Sequence, residues 1–173
     1  SIAVVGASAD PRKTGHALLN NLINYGYAGK IYPVNPNADE LLGLRSYKGL
    51  GDLPRTIDLA VFTIPAAAVV ESLRTTPEIK IKAAVVHSGG FAEAGAEGQR
   101  LQADLLALAR KRGMRIIGPN CMGVMCIETR VPWARRTTFP EVGGGVSVVS
   151  QSGGGGGSLV NLADQRGVKF SKI

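Results

Sequence analysis

The chain has 173 residues, 45% hydrophobic and 19% charged, with a formal charge of +7; this is enough apolar content for a core of its own and excludes a disordered chain. No apolar run reaches the roughly 20 residues that cross a bilayer and no basic-then-apolar leader is read at the start, so neither membrane insertion nor export is expected. The positive balance favours anionic partners, but the cations are scattered over Arg12, Lys13, Lys80, Lys82, Arg110, Lys111, Arg112, Arg130, Arg135 and Arg136, and 5% aromatic residues leaves little to stack bases, which disfavours nucleic acid.

Residues 2–15, IAVVGASADPRKTG, set the theme. Ile2, Ala3, Val4 and Val5 form the short apolar run of a buried parallel strand, and Gly6 ends it where a bulky residue would keep a ligand from the backbone. Ser8 supplies a hydroxyl, Arg12 and Lys13 supply positive charge, and Thr14 is read as the N-cap of a helix over 15–25 that stops at Gly26. A strand, a small-residue loop with cations and a helix start together make a place to hold phosphates. The spacing is not that of a dinucleotide fingerprint: after Gly6 the next glycine is Gly15, and Asp39 and Glu40 come too late for the acid that would bind a ribose. An NAD-dependent oxidoreductase is therefore the weaker alternative.

Further along, strands are expected at 30–34, 58–64, 81–87 and 114–118. A second helix follows Pro65 through Ala66, Ala67, Val69, Val70 and Leu73. A third spans 93–112, with Leu101, Leu105, Leu108 and Ala109 on one face and Gly113 as its C-cap. The glycine-punctuated stretch 41–54 reads as a turn or an edge strand. Alternation of strand and helix implies right-handed crossovers and a Rossmann-like α/β fold, a parallel sheet with helices on both faces. Ligands of such sheets lie beyond the carboxyl ends of the strands, which here read GAS, VNPN, IPA, HSGGF and GPNCMG.

Residues 128–144 lack periodicity and read as a linker, with Trp133 packing against a neighbouring unit and Arg135 and Arg136 on an exposed face. Residues 145–173 begin a second unit: a strand at Val146 to Val149, the turn Ser150, Gln151, Ser152 and Gly153, and a helix pattern at Leu159, Val160, Leu162 and Ala163. Each helical glycine in the run Gly153 to Gly157 costs about 1 kcal/mol against alanine, so the first turn is expected to be loose without a ligand or partner. The last stretch, VKFSKI, reads as a strand with nothing to pair it, and the chain as a piece of a longer protein.

Cys121 and Cys126 are too few for a disulfide framework or a zinc site and suit a reducing cytoplasm. Cys121 has no neighbouring histidine to activate it as a nucleophile, and Cys126 reads as a buried hydrophobe. His16, in the first turn of a helix, is read as a structural or ligand-edge group rather than a proton-transfer one, and His87, at a strand tip by the crevice, as a satisfied structural histidine in preference to a crevice-facing group.

The succession of GAS loop, YPVNP, Ile64-Pro65, SGGF and GPNCMGV resembles the CoA-binding domain of the NDP-forming acyl-CoA synthetases, such as ADP-forming acetate–CoA ligases and the succinyl-CoA synthetase alpha subunit. The resemblance implies a CoA-binding Rossmann-like domain over 1–127, a linker over 128–144, and over 145–173 the start of a second, flavodoxin-like α/β domain. It implies CoA contacts at Gly6, Ser8, Arg12, Lys13, Thr14 and Gly15 for the phosphates, and at Val34, Asn35 and Pro36 beside the nucleotide. Ile64, Pro65, Ser88 and Gly89 would follow the pantetheine arm, with Asn120 and Cys121 near the thiol end. Ser150, Ser152 and Gly153 would start a helix aimed at a phosphorylated histidine, in a segment beyond this chain. The implied enzyme is an acid–thiol ligase using ATP or ADP with Mg2+ and an ATP-grasp domain or subunit, in a homo- or hetero-oligomer; by itself this chain would bind CoA without turnover. One departure is that many relatives carry lysine after the VNP turn, where this chain has Asn37 and Ala38, leaving Arg12 or Lys13 to replace that charge. The alternative within the resemblance is a CoA-sensing module of a larger protein, such as an acetyltransferase.

Overall fold

A computed structural model of the chain describes residues 1–133, 139 and 143–173. Its elements run β1 (Ile2–Val5), α1 (Thr14–Asn24), β2 (Ile31–Val34), β3 (Glu40–Leu41), β4 (Leu44–Arg45), β5 (Thr56–Phe62) and α2 (Ala66–Thr75). They continue through β6 (Lys80–Val86), α3 (Ala96–Arg112), β7 (Arg115–Ile117), β8 (Val146–Ser147), α4 (Gly153–Gln165) and β9 (Phe170–Lys172). The five parallel strands of the main sheet stand in the order β2-β1-β5-β6-β7, each within two residues of its expected bounds.

Strand alternation sorts the core into two layers. Ala3 and Val5 face one side with Phe62, Leu73, Phe91 and Leu105, under α2 and α3. Ile2 and Val4 face the other with Leu18, Leu19, Leu22, Val61 and Val85, under α1. The expected apolar face of α3 is borne out: Leu105 and Ala109 are buried, and Leu101 and Leu108 pack on the same layer. Gly113 caps it in the left-handed conformation. The helix starts later than the periodicity suggests because Ala92–Ala94 form a 3₁₀ turn and Gly95 turns the chain with φ +97°.

The 41–54 connection contains both features expected of it. β3 and β4 form a short antiparallel hairpin, and Tyr47 makes a single parallel bridge to Val34. Tyr47 N donates to Pro33 O at 2.9 Å and its carbonyl accepts from Asn35 N at 2.8 Å, so one residue stands where a third Rossmann strand would lie beyond β2.

Several expectations are corrected. Lys13, not Thr14, is the N-cap of α1, and no side chain caps it; Thr14 already belongs to the first turn. The final strand is paired on both edges: β9 runs parallel to β8, and Met125 exchanges two backbone hydrogen bonds with Ile173, of 2.8 and 2.9 Å, while Ile127 N donates to Ser171 O at 3.0 Å. That pairing makes residues 125–127 strand-like, so Met125 and Ile127 point inward and Cys126 between them is only half-buried. The 128–133 part of the expected linker folds back, with Val131 bridging Cys126 and packing on the α1 layer. Arg135 and Arg136 lie outside the described residues.

Candidate functional site

The strand tips are tied to one another in sheet order. From the β2 tip, Asn35 Nδ2 donates to Ala7 O at 2.7 Å. From the β5 tip, Thr63 Oγ1 reaches Val5 O at 3.0 Å and Gly6 O at 3.2 Å. Ser88 Oγ at the β6 tip donates to Ile64 O, and Asn120 N beyond β7 donates to Ser88 O at 3.0 Å. Five loops from separate parts of the chain thus form one continuous rim, along the edge where a doubly wound sheet takes its ligand and across the β1/β5 point at which strand order reverses.

At the centre of the rim, α1 approaches β1 closely. A Cβ on Gly15 would fall 1.9 Å from Gly6 O, and one on Gly6, which has φ +93°, would meet Thr63 and Ile64 at 2.7 Å. Only glycine permits this approach at both positions. The start of α1 carries no acidic residue in its first turn, so its dipole favours an anion.

The loop before it is internally braced. Ser8 is buried and its Oγ accepts from Asp10 N at 3.1 Å, while its carbonyl meets His16 Nδ1 at 3.0 Å; His16 therefore has a structural partner. Arg12 is held by Asp10 through Nε–Oδ1 at 3.0 Å and Nη2–Oδ2 at 2.9 Å. The guanidinium holds the Asp10 carboxyl below its ordinary range, so this pair stays ionised near neutrality. Lys13 is exposed and has no ion pair among the described residues.

The other candidate residues divide by exposure. Val34 is buried, and its carbonyl accepts from Gly6 N at 3.0 Å, so its side chain belongs to the core; Pro36, Pro65, Gly89 and Asn120 are exposed along the rim. Asn120 adopts φ +53°, in the left-handed region that asparagine tolerates better than most residues. Cys121 Sγ points to Val86 O at 3.4 Å, and burial pushes its thiol above the ordinary value. This disfavours the thiolate and argues against a nucleophile. His87 is held below its ordinary value by desolvation, opposed by a hydrogen bond with the Cys121 backbone.

Two residue sets that are distant in sequence meet across a cleft of about 480 Å³. Asn120, Cys121 and Met122 line it from the first set and Ser150, Gln151, Ser152 and Gly153 from the second, together with Trp133. Ser152 Oγ caps α4 by accepting from Gly155 N at 3.0 Å. The Gly153 to Gly157 run does form the first turns of that helix.

Three contributors were missed in the sequence. Thr63 ties β5 to the β1 loop, and its only signal is a hydroxyl directly before Ile64-Pro65. Glu93 Oε1 accepts from Gly90 N at 2.7 Å and holds the SGGF loop. Lys48 reaches Ala38 O at 3.2 Å and Asp39 Oδ1 at 2.7 Å, which brings a cation to the turn whose own lysine is missing; a hairpin contact of this kind leaves no local pattern. Among the described residues no group of His, Cys, Asp or Glu could hold a metal ion, and no helix is long and apolar enough to cross a membrane.

Sheet order, glycine approach and tied tips define a Rossmann-like nucleotide-binding domain. Residues 1–127 match the CoA binding domain family, and the chain belongs to that family. It is 39% identical over 174 residues to the alpha subunit of ADP-forming acetate–CoA ligase II of Pyrococcus furiosus, covering 99% of this chain and 37% of that protein. It is 42% identical over 175 residues to a trans-feruloyl-CoA synthase from an unknown prokaryotic organism, covering 99% of this chain and 25% of the relative. The solved acetyl-coenzyme A synthetase 1 of Candidatus Korarchaeum cryptofilum, in complex with phosphate and ADP, superposes with a TM-score of 0.91 at 38% identity, over 99% of this chain and 36% of that one. The chain thus spans from a quarter to little more than a third of these relatives, which include ADP-forming ligases.

Proposed function

We propose that this chain is the CoA-binding portion of an NDP-forming acyl-CoA synthetase, an enzyme that interconverts acyl-CoA, nucleoside diphosphate and phosphate with free acid, CoA and nucleoside triphosphate. The observation that carries this reading is the continuous rim of tied strand tips, running from the cation-bearing start of α1 to the cleft at Cys121. A ligand with a phosphorylated nucleotide at one end and a long arm ending in a thiol fits that course. Gly6, Ser8, Lys13, Thr14 and Gly15 take the CoA phosphates, with Arg12 available once it leaves Asp10. Asn35, Pro36 and the Val34 backbone border the nucleotide, Ile64, Pro65, Ser88 and Gly89 follow the pantetheine arm, and Asn120 and Cys121 receive the thiol end.

Across the cleft, Ser150, Ser152 and Gly153 open a helix with no acidic residue in its first turn, an arrangement that favours a phosphoryl group. The reaction proceeds through an acyl phosphate and a phosphohistidine, dividing one hard transfer into easier steps. Neither His16 nor His87 lines the cleft, so the phosphorylated histidine belongs to a further segment of the longer protein. ATP or ADP with Mg2+ is handled by an ATP-grasp domain or subunit, in a homo- or hetero-oligomer located in the cytoplasm. The division follows as a CoA-binding domain over 1–127, a connection over 128–144 and the opening of the second domain over 145–173; this chain alone binds CoA and does not turn over.

Calorimetric titration with CoA, 3′-dephospho-CoA and NAD at one salt concentration tests this reading. The expected result is binding of CoA, weaker binding of the dephospho form and none of NAD. Binding of NAD without CoA overturns the assignment.

A further inference from the structure

We propose that His87 is a positioning residue for the thiol end of the site, seating the Gly118–Val124 loop from behind while its ring is neutral, so that CoA binding by this chain is linked to a proton. The inference rests on the CoA reading above, which brings the thiol end to that loop; its own basis is how the loop is held. Cys121, Met122, Gly123 and Val124 line the cleft. The reverse side of the same stretch closes over His87. Val124 shares with the ring the lining of a small apolar gap, the Cys121 backbone hydrogen-bonds the ring, and a Cβ on Gly123, which has φ +89°, would come within 3.2 Å of its Nε2. His87 is absent from the cleft's own lining, so it acts through the backbone it supports.

Three further ties fix the loop to the end of β6. Asn120 N donates to Ser88 O at 3.0 Å, Cys121 Sγ points to Val86 O at 3.4 Å, and Gly118 passes so near that a Cβ would fall 2.5 Å from Val86 O. None of these changes charge in acid: the backbone groups do not titrate, and burial pushes the Cys121 thiol up. His87 differs, because an imidazole is the side chain that charges just below neutral pH. Its gap is walled by Leu18 and Leu22 of α1, Val61 of β5, Val85 of β6 and Val131, and no charged side chain lines it. Nothing there offsets the cost of an imidazolium, and desolvation holds the ring below its ordinary value. A proton taken up in acid therefore draws the ring toward water and away from Cys121 and Gly123. Bound CoA holds the loop seated and resists that proton; by reciprocity the proton weakens CoA binding.

The test is calorimetric titration of the chain with CoA, and with 3′-dephospho-CoA, which lacks the monophosphate whose second proton titrates near about pH 6. Each is run from about pH 7.5 to about pH 5 in two buffers of different ionisation enthalpy, so that protons released on binding are counted. The wild type is expected to release protons below the ordinary value of 6.5 and to lose about three- to tenfold in affinity over the range, one linked proton limiting the slope to about tenfold per pH unit. His87→Gln keeps a donor for the loop and loses the titration, so its profile should be flatter and its proton release smaller. Subtracting it removes every other titrating group, His16 and the ligand phosphates included. His87→Leu removes the donor and should weaken binding even at the top of the range. Matching profiles and proton counts for the wild type and His87→Gln overturn the proposal and leave the CoA reading intact. Should the variants fail to fold, the wild-type count with 3′-dephospho-CoA decides, and no proton release in acid overturns the proposal. Failure to bind CoA at any pH overturns both readings.

Discussion

Residues 1–117 close five parallel strands between two apolar layers, whereas residues 143–173 bring one helix and two short strands to a single small cluster. Both use the same grammar of buried strand, small-residue turn and helix. They differ in what completes them. In the first unit, alternation along β1 feeds both layers. In the second, β9 has β8 on one edge and Met125 to Ile127 on the other, so its sheet borrows an edge from the chain that leaves the first. Leu159 and Leu162 on α4 remain 50% and 49% exposed. A unit with little core of its own takes its order from its neighbour, and here the shared segment is the one that carries Cys121 and Met122 into the cleft.

The largest effect should come from breaking that asymmetry at its strong end. Phe62 is fully buried, and Phe62→Ala is expected to cost about 3–5 kcal/mol and to unfold both units together in a denaturant titration. Phe170→Ala, in the small cluster, should instead speed hydrogen exchange at 125–127, 146–148 and 170–173 while β1 and β5 stay protected. Equal loss of protection in both units would show that they form one cooperative block. Next in size is Gly15→Ala. Its Cβ, 1.9 Å from Gly6 O, forces α1 away from β1 at a cost of about 1–3 kcal/mol or more. It should weaken CoA binding beyond what the stability loss explains, measurable by calorimetry below the melting transition.

The strong unit was also the legible one. Residues 2–5, 58–64 and 81–87 announce buried strands by composition alone, and Leu101, Leu105, Leu108 and Ala109 announce the inner face of α3. Where the reading failed, a long-range contact had decided the outcome. VKFSKI shows no sign of the partner it finds in Met125 to Ile127, 44 positions away at the backbone bond between Ile127 and Ser171. Thr14 has the right chemistry for an N-cap, but the chain turns one residue earlier, at Lys13, because α1 must begin where Gly15 can meet Gly6. In the candidate site, glycine and proline marked the tips, while the groups that tie them, Thr63 and Glu93, and the cation at Lys48 are ordinary residues whose role exists only after folding. Trp133 was legible as a packing residue; its place in a cleft required the second unit to be positioned.

A smaller effect tests the joint between the two units. His87 bonds to the Cys121 backbone, and a Cβ on Gly123 would lie 3.2 Å from its Nε2, so the ring supports the loop that enters the cleft. Desolvation holds it below its ordinary value of 6.5. Above that value both folded and unfolded chains carry a neutral ring and the group contributes no pH dependence. As the pH falls below it, the unfolded chain takes up a proton that the folded chain resists, and stability declines. Melting temperatures between about pH 7.5 and pH 5 should fall less steeply for His87→Gln than for the wild type. Equal slopes would remove His87 from the account.

The smallest effect separates the two helix starts. α1 faces its site with Lys13 and with Arg12 held by Asp10, whereas α4 opens on a run of glycines with the Ser152 cap and no charged side chain in its own first turn. If charge near α1 recruits the CoA phosphates, freeing the guanidinium should help: Asp10→Asn is expected to tighten CoA binding a few-fold at low salt, and Lys13→Ala to weaken it. Because both groups are exposed, the gain should vanish as the Debye length shrinks from about 10 Å at 0.1 M salt to about 3 Å at 1 M. A salt-independent gain would point to a change in the Ser8–Asp10 turn instead of released charge, since Asp10 also accepts the Arg12 backbone N–H at 3.0 Å. Arg12→Ala in the Asp10→Asn background distinguishes the two: it abolishes an electrostatic gain and leaves a conformational one in place.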